Sequence, residues 1–194
     1  MIKAVIFDCF GVVITDALQE IRAKLARSDA AAAQEVRDIL AANNRGLIDP
    51  QESNAKIAAI LGVEAETLRA YIQAGEVRNV RLLQYIRDVK QHYKTAMLSN
   101  VARSSLERRF PDDELRVYFD EVVASAEIGY AKPDPEAYRI TAERLGVAPE
   151  ACVFTDDKLV FCEAAESVGM QAVLYTDFMQ FRAELEQMLL YTEN

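Results

Sequence analysis

Hydrophobic residues in this chain come in short unbroken runs, each closed by polar residues. Residues 2–7 are nearly continuous β-forming stock and stop at Asp8, with Gly11 following in FDCFGVV. A run that does not alternate reads as a central strand covered on both faces. Residues 94–98 repeat the pattern and end at Ser99 and Asn100. Residues 122–124 give a short third strand, 152–155 a fourth that ends in Asp156 and Asp157, and 171–175 a fifth. Between the later runs the period changes to that of helices. Leu82, Leu83, Ile86 and Val89 make one stripe within 78–92. Residues 135–145 and 159–168 are amphipathic and are followed by Gly146 and Gly169, which suit helix C-termini. A last helix over 178–191 carries Phe181, Leu185, Met188 and Leu189 on one face, which is expected to pack on the sheet. Strands alternating with helices predict an α/β fold with a central parallel sheet and right-handed crossovers.

Residues 16–77 break this rhythm. They hold no convincing strand and four helical patterns, over 17–27, 30–43, 51–61 and 64–74. Asn43, Gly46, Pro50 and Gly62 punctuate them. The expected organisation is a core of residues 1–15 and 78–194 with a small helical domain, 16–77, inserted after the first strand. The plainer alternative is an all-helical crossover, although a crossover needs only about a dozen residues. An insertion at the strand ends would exclude water and choose the substrate.

Composition narrows the classes. At 194 residues and 51% hydrophobic, the chain has material for one large core. Its net charge of -9, from 31 acids against 22 bases, argues against a nucleic-acid footprint, which needs clustered Lys and Arg. No apolar run approaches the ~20 residues of a membrane span, and no signal peptide is visible. Cys9, Cys152 and Cys162 show no paired spacing, which fits reduced thiols in a cytoplasmic chain, monomeric or homodimeric. Cys9 adjoins Asp8 but has no histidine near it in sequence, so a buried, inert thiol is the better reading. The single histidine, His92, sits in the polar run KQHYK and reads as solvated or capping its helix.

The chemistry is suggested by the strand ends. The carboxyl ends of parallel strands face one way, so Asp8, Asp156 and Asp157 are expected to meet at the working edge of the sheet. Three carboxylates together call for a cation, and an all-oxygen set suits Mg²⁺. Ser99 or Asn100 could hydrogen-bond a phosphoryl oxygen. Lys132, in AKPDPEAY, could offset the acids and hold a transferred group. Taken singly, Lys132 also reads as a surface partner of Asp134, and Asp156–Asp157 as an acidic turn.

Together these pieces resemble the haloacid dehalogenase-like (HAD) hydrolase superfamily, in its phosphatase-like branch with a small helical C1-type cap. FDCFGVV matches the first motif, LSN at 98–100 the second, GYAKPDPEAY at 129–138 the third and FTDD at 154–157 the fourth. The resemblance implies a Rossmannoid three-layer core. It implies Asp8 as a nucleophile forming an aspartyl-phosphate and as a Mg²⁺ ligand, with the backbone carbonyl of Phe10 as another ligand. Ser99, Asn100 and Lys132 would bind the phosphoryl group, and Asp156 and Asp157 would hold the ion. The substrate would be a small phosphorylated metabolite, selected by the cap.

Two positions depart from the family pattern. Phosphatases of this type usually carry an aspartate two residues after the nucleophile, as general acid and base; here it is Phe10. An asparagine often follows the fourth motif where this chain has Phe161. Loss of a general acid costs ~10²–10⁴ in rate. A water, or Lys24, Glu52 or Lys56 of the insertion, would have to supply the proton. Three functions are therefore carried forward: a slow or leaving-group-limited Mg²⁺-dependent phosphatase, a phosphate- and Mg²⁺-binding protein with little or no turnover, and a 2-haloacid dehalogenase. Halide leaves without a proton, so Phe10 is no handicap to the last, but the acidity of the fourth motif counts against it.

Overall fold

The computed structural model of the protein describes residues 1–110 and 113–190. Strand β1 (Ala4–Phe7) is followed by helices α1 (Gln19–Ser28), α2 (Ala30–Asn44), α3 (Pro50–Leu61), α4 (Ala65–Gly75) and α5 (Val80–Val89). Then come β2 (Lys94–Ser99), the short helices α6 (Arg103–Glu107) and α7 (Leu115–Tyr118), β3 (Glu121–Ala124) and α8 (Ser125–Ile128). The chain continues through α9 (Pro135–Leu145), a 3-10 turn (Pro149–Ala151), β4 (Cys152–Asp156), α10 (Leu159–Ser167), β5 (Gln171–Leu174) and α11 (Phe178–Leu190).

The five strands form one sheet in the order β3-β2-β1-β4-β5, and every pairing is parallel. The fold is thus the expected α/β Rossmannoid core. The unbroken apolar runs are explained by burial on both faces. Val5 and Phe7 join a cluster with Leu82, Ile86, Phe181 and Leu185, contributed by α5 and α11. Ala4 and Ile6 join another with Ala137, Tyr138 and Ala165, contributed by α9 and α10. The last helix does pack on the core; residue 191, assigned to it from the sequence, lies outside the described residues.

Boundaries shift for identifiable reasons. Helix α5 starts at Val80 rather than residue 78 because the Asn79 carboxamide oxygen caps it, accepting from the Leu82 amide at 3.2 Å. Helix α9 begins where expected, with Pro135 in its first turn, the Asp134 carboxylate accepting from the Glu136 amide, and Gly146 left-handed at its end. Helices α6, α7 and α8 span 5, 4 and 4 residues. They are too short to print a helical period on the sequence. His92 is exposed, before the start of β2 and so at the far end of that strand from Ser99.

The inserted segment has a small core of its own. Val36, Ile57, Ala58 and Leu68 are buried together, with Leu18, Ile21, Leu25 and Leu40 packed around them. The two stretches of chain that enter and leave it run side by side. The Thr15 amide donates to the Val77 carbonyl at 3.0 Å, and the Val77 amide to the Thr15 hydroxyl at 2.8 Å. The Asn79 amide donates to the Val13 carbonyl at 2.8 Å. At the other end of the segment the Ser125 hydroxyl donates to the Asn44 carbonyl, which seats the end of α2 on the start of α8.

Candidate active site

The register of the sheet assembles the site. Phe7 lies beside Met97 on one side and Thr155 on the other, so Asp8 leaves β1 level with the ends of β2 and β4. The Asp8 amide donates to the Thr155 carbonyl at 2.9 Å, which fixes where its side chain begins. Asp8, Asp156 and Asp157 then offer carboxylate oxygens that all lie within 4.8 Å of one another.

Lys132 reaches these acids from the loop before α9. Its ammonium donates to Asp8 Oδ1 at 2.6 Å and to Asp156 Oδ2 at 2.5 Å, and all three residues are buried. The surface-lysine reading of Lys132 is therefore discarded. Asn100 holds this lysine in place. Its carboxamide oxygen accepts from the Lys132 amide, and its carboxamide nitrogen donates to the Lys132 carbonyl, both at 2.8 Å. The Asn100 side chain is thus engaged at both ends while it also lines the cavity.

Electrostatics inside the cluster are unbalanced. Burial pushes the Asp8 carboxyl up to about 7; the Lys132 charge opposes that and the Asp156 charge adds to it. Burial works against the Lys132 ammonium, but the charges of Asp8 and Asp156 outweigh it and raise the lysine above its ordinary value. Asp157 is also raised, chiefly by burial. Its Oδ1 is buried without a hydrogen-bond partner, and the Lys158 ammonium lies 3.7 Å from it. Three carboxylates with one lysine shared between two of them, and an orphaned carboxylate oxygen, fit a hard divalent cation, and Mg²⁺ in particular. At the end of the neighbouring strand β2, the Ser99 hydroxyl is buried and also unpartnered.

Asp8 and Lys132, with Ser99 and Asn100, line a cavity of about 670 Å³ between the sheet edge and the inserted helices, and Asp156 and Asp157 lie behind them. Comparison with known proteins decides the family. The pattern of the haloacid dehalogenase-like hydrolases matches residues 2–169. The chain belongs to the haloacid dehalogenase-like hydrolase family. Among its relatives, this HAD-like chain is 49% identical over 55 residues to phosphatase MT3486 of Mycobacterium tuberculosis, covering 28% of the chain and 25% of that protein. It is 42% identical over 59 residues to the fructose-1-phosphate phosphatase YqaB of Escherichia coli, covering 30% and 31%. These matches thus span about a quarter to a third of the relatives' length. The HAD family enzyme BT-2542 of Bacteroides thetaiotaomicron, solved with magnesium and inorganic phosphate, superposes with a TM-score of 0.71 at 23% identity over 89% of this chain and 93% of that one.

Within this HAD-like site, the surroundings of Phe10 were not foreseen. The Arg109 guanidinium lies over the Phe10 ring, 5.0 Å from its centroid. Arg109 is held there by a bidentate pair with Glu76 and by donating to the Ser105 carbonyl at 2.7 Å. Phe161 lines the cavity beside Lys132, whose ammonium is 5.1 Å from its ring, so the residue shields the lysine from water. The insertion residues suggested as proton donors lie elsewhere. Lys24 is exposed on α1, and Glu52 and Lys56 pair with each other at 2.7 Å on the exposed side of α3; none of the three lines the cavity. Cys9 is buried, and burial together with the Asp8 charge raises its thiol, as an inert cysteine requires.

Residues missed by sequence reasoning include Asp16, Arg22, Glu76, Arg78, Arg108 and Arg109, all of which line the cavity. In the sequence, Glu107–Arg109 is a short charged run with no mark of a cavity role. Its pairing with Glu76, 33 residues away in sequence, needs the tertiary fold.

Gly11 is a sharper case. It has φ +98°, and a Cβ there would strike the Asp157 carboxylate. The tight turn is closed by the Gly11 amide donating to the Ile14 carbonyl at 2.7 Å. Gly11→Ala should cost about 1–3 kcal/mol in a denaturant melt, as a strained left-handed residue does. It should also weaken Mg²⁺ binding in calorimetry, because Asp157 must move.

Proposed function

We propose that the protein is a Mg²⁺-dependent phosphomonoesterase that acts on small phosphorylated metabolites through an aspartyl-phosphate on Asp8. One observation carries this reading: the ends of β1 and β4 and the loop before α9 bring three carboxylates and a lysine together, with Asp8, Lys132 and the unpartnered Ser99 lining one cavity. The phosphatase names of the relatives support the same reaction class.

The chain's residues divide the work as follows. Lys132 occupies Asp8 Oδ1 and leaves the other carboxylate oxygen to attack phosphorus. The ester P–O bond breaks as the Asp8–P bond forms, and the leaving oxygen takes its proton from solvent. The Ser99 hydroxyl and the Lys132 ammonium hold phosphoryl oxygens through the transfer. Water then attacks the phosphorus, releasing inorganic phosphate and regenerating the Asp8 carboxylate. Asp8, Asp156 and Asp157, with the Phe10 carbonyl, would hold the ion, which neutralises the attacking carboxylate and the phosphoryl oxygens. Asn100 positions Lys132. The insertion, residues 16–77, serves as the cap that closes the cavity.

Phe10 sets the pace. With no acid at that position, turnover should favour leaving groups that need little protonation, such as p-nitrophenolate. The same ring would suit a halide leaving group, which keeps dehalogenation as the second reading; the convergence of three acids on a hard-cation site speaks for phosphoryl transfer.

A panel of phosphomonoesters and 2-haloacids, with and without Mg²⁺, separates the readings. Expected is Mg²⁺-dependent phosphate release with p-nitrophenyl phosphate and no halide release. Metal-independent halide release would overturn the proposal, and binding of phosphate and Mg²⁺ without turnover would make the protein a binding module. Asp156→Ala should weaken Mg²⁺ binding at least about tenfold by calorimetry, since it removes a buried charged ligand. Equal affinity in both proteins would remove the metal from the account.

A further inference from the structure

The cationic residues around the cavity are almost all neutralised in place. Arg22 and Arg109 pair with Asp16 and Glu76, and Arg78 makes a bidentate contact with Glu114 at 2.7 and 2.9 Å. Lys132 and Lys158 belong to the acid cluster. Arg108 is the exception. It follows α6 on the core side and lines the cavity. Its one side-chain hydrogen bond is to the Ser105 hydroxyl at 3.2 Å, and among the described residues no carboxylate pairs with it.

Its neighbours make this costlier. Arg108 feels the like charges of Arg109, next in sequence, and of Arg69 on α4 of the insertion. Arg69 also lines the cavity, and its contact with Glu66 at 3.0 Å is a solvent-exposed i,i+3 pair of the kind that contributes little. Burial first, and then these two charges, lower the Arg108 guanidinium below its ordinary value, and the Glu76 carboxylate, itself bound to Arg109, offsets them only in part. The rest of the insertion-side wall includes the apolar Leu40, Ile57, Leu68 and Ile72, and its two carboxylates, Asp16 and Glu76, are already paired with Arg22 and Arg109.

We propose that Arg108, with Arg69 reaching from the insertion, is an anion subsite for the leaving portion of the substrate, which therefore carries a second anionic group, a carboxylate or a phosphate, in addition to the phosphoryl group taken by Asp8. A guanidinium fork matches either anion with two parallel hydrogen bonds. An anion there relieves the repulsion among the arginines. It also ties core to insertion, so that the correct substrate closes the cavity over the acid cluster. The inference rests on the phosphatase reading above and narrows its substrate class.

Three phosphate esters of one carbon length test it: propyl phosphate, 3-phosphonooxypropanoate and propane-1,3-diyl bisphosphate. In the wild type with Mg²⁺, kcat/KM should be at least about tenfold higher for the two anionic-tailed esters than for propyl phosphate, the worth of one charge-assisted hydrogen-bond pair. The carboxylate and bisphosphate arms show which anion fits. Arg108→Gln should bring that ratio close to one, mainly through KM. Arg108→Lys should keep part of it, and Arg69→Gln should lower it less. A wild-type ratio near one, or a ratio unchanged in Arg108→Gln, overturns the subsite; hydrolysis of propyl phosphate would then leave the phosphatase reading intact. Should no ester be hydrolysed, calorimetry of the same ligands with the Mg²⁺-loaded protein decides separately. Tighter binding of 3-phosphonooxypropanoate than of propyl phosphate, lost in Arg108→Gln, sustains the subsite without the chemistry. Equal binding ends it.

Discussion

Asp8→Asn should abolish phosphate release, by about 10⁴-fold or more, as removal of a nucleophile does. Asparagine keeps the shape of the side chain and can still accept from Lys132, so the protein should fold normally. Its stability should even rise in metal-free buffer, and the rise should depend on pH. The Asp8 carboxyl of the folded chain is raised from 3.8 to about 7. A group raised on folding supports the fold while it stays protonated and withdraws that support as pH climbs through its folded value. In EDTA the wild type should therefore lose stability between pH 4 and 7, and the substituted protein should lose less. Melting curves at pH 5 and pH 8, with and without Mg²⁺, check this. Turnover in Asp8→Asn within tenfold of wild type would remove the covalent mechanism.

Lys132→Ala should be the most damaging change to the folded protein. Its side chain is 1% exposed, and its ammonium sits between two buried carboxylates. Deleting one partner of a buried ion pair typically costs about 3–5 kcal/mol, because the remaining charges stay unpaired. In a chain of this size each kcal/mol moves the melting temperature by about 2–4 °C. The loss in EDTA should thus be about 6–20 °C, and saturating Mg²⁺ should recover part of it. Activity should fall by about 10²–10³ even with the ion bound, since a preorganised donor to the phosphoryl group is gone. An unchanged melt in EDTA would mean that the carboxylates had already taken up protons.

Much of this was legible in the chain because the physics is local. An apolar run of β-forming residues that ends in Asp8, and another that ends in Asp156–Asp157, declare both a buried strand and its polar terminus. Parallel pairing then carries each terminus to one edge, so the acids meet without any further information. The cleft's second ring of charge was not legible in the same way. Glu76 and Arg109, or Arg78 and Glu114, are ordinary surface-type residues until the fold brings partners 33 and 36 residues apart together. Nor does a sequence reveal that both ends of the Asn100 side chain are taken up by one backbone unit, because that depends on a loop bringing Lys132 alongside it. Lys24, Glu52 and Lys56 were named only for their chemistry, and helical phase turned them outward.

The guanidinium stacked on Phe10 bears on how such a site gains or loses a function. A carboxylate placed at position 10 would come to rest beneath Arg109, and a neighbouring positive charge stabilises the ionised form of an acid. It would be kept as a base with no proton to hand on. Placing an acid there by one substitution is therefore not enough to supply a proton donor: Arg109 and its anchor Glu76 would have to change as well. The aromatic ring and the ion pair above it make a matched set, so position 10 cannot be redesigned without its ceiling.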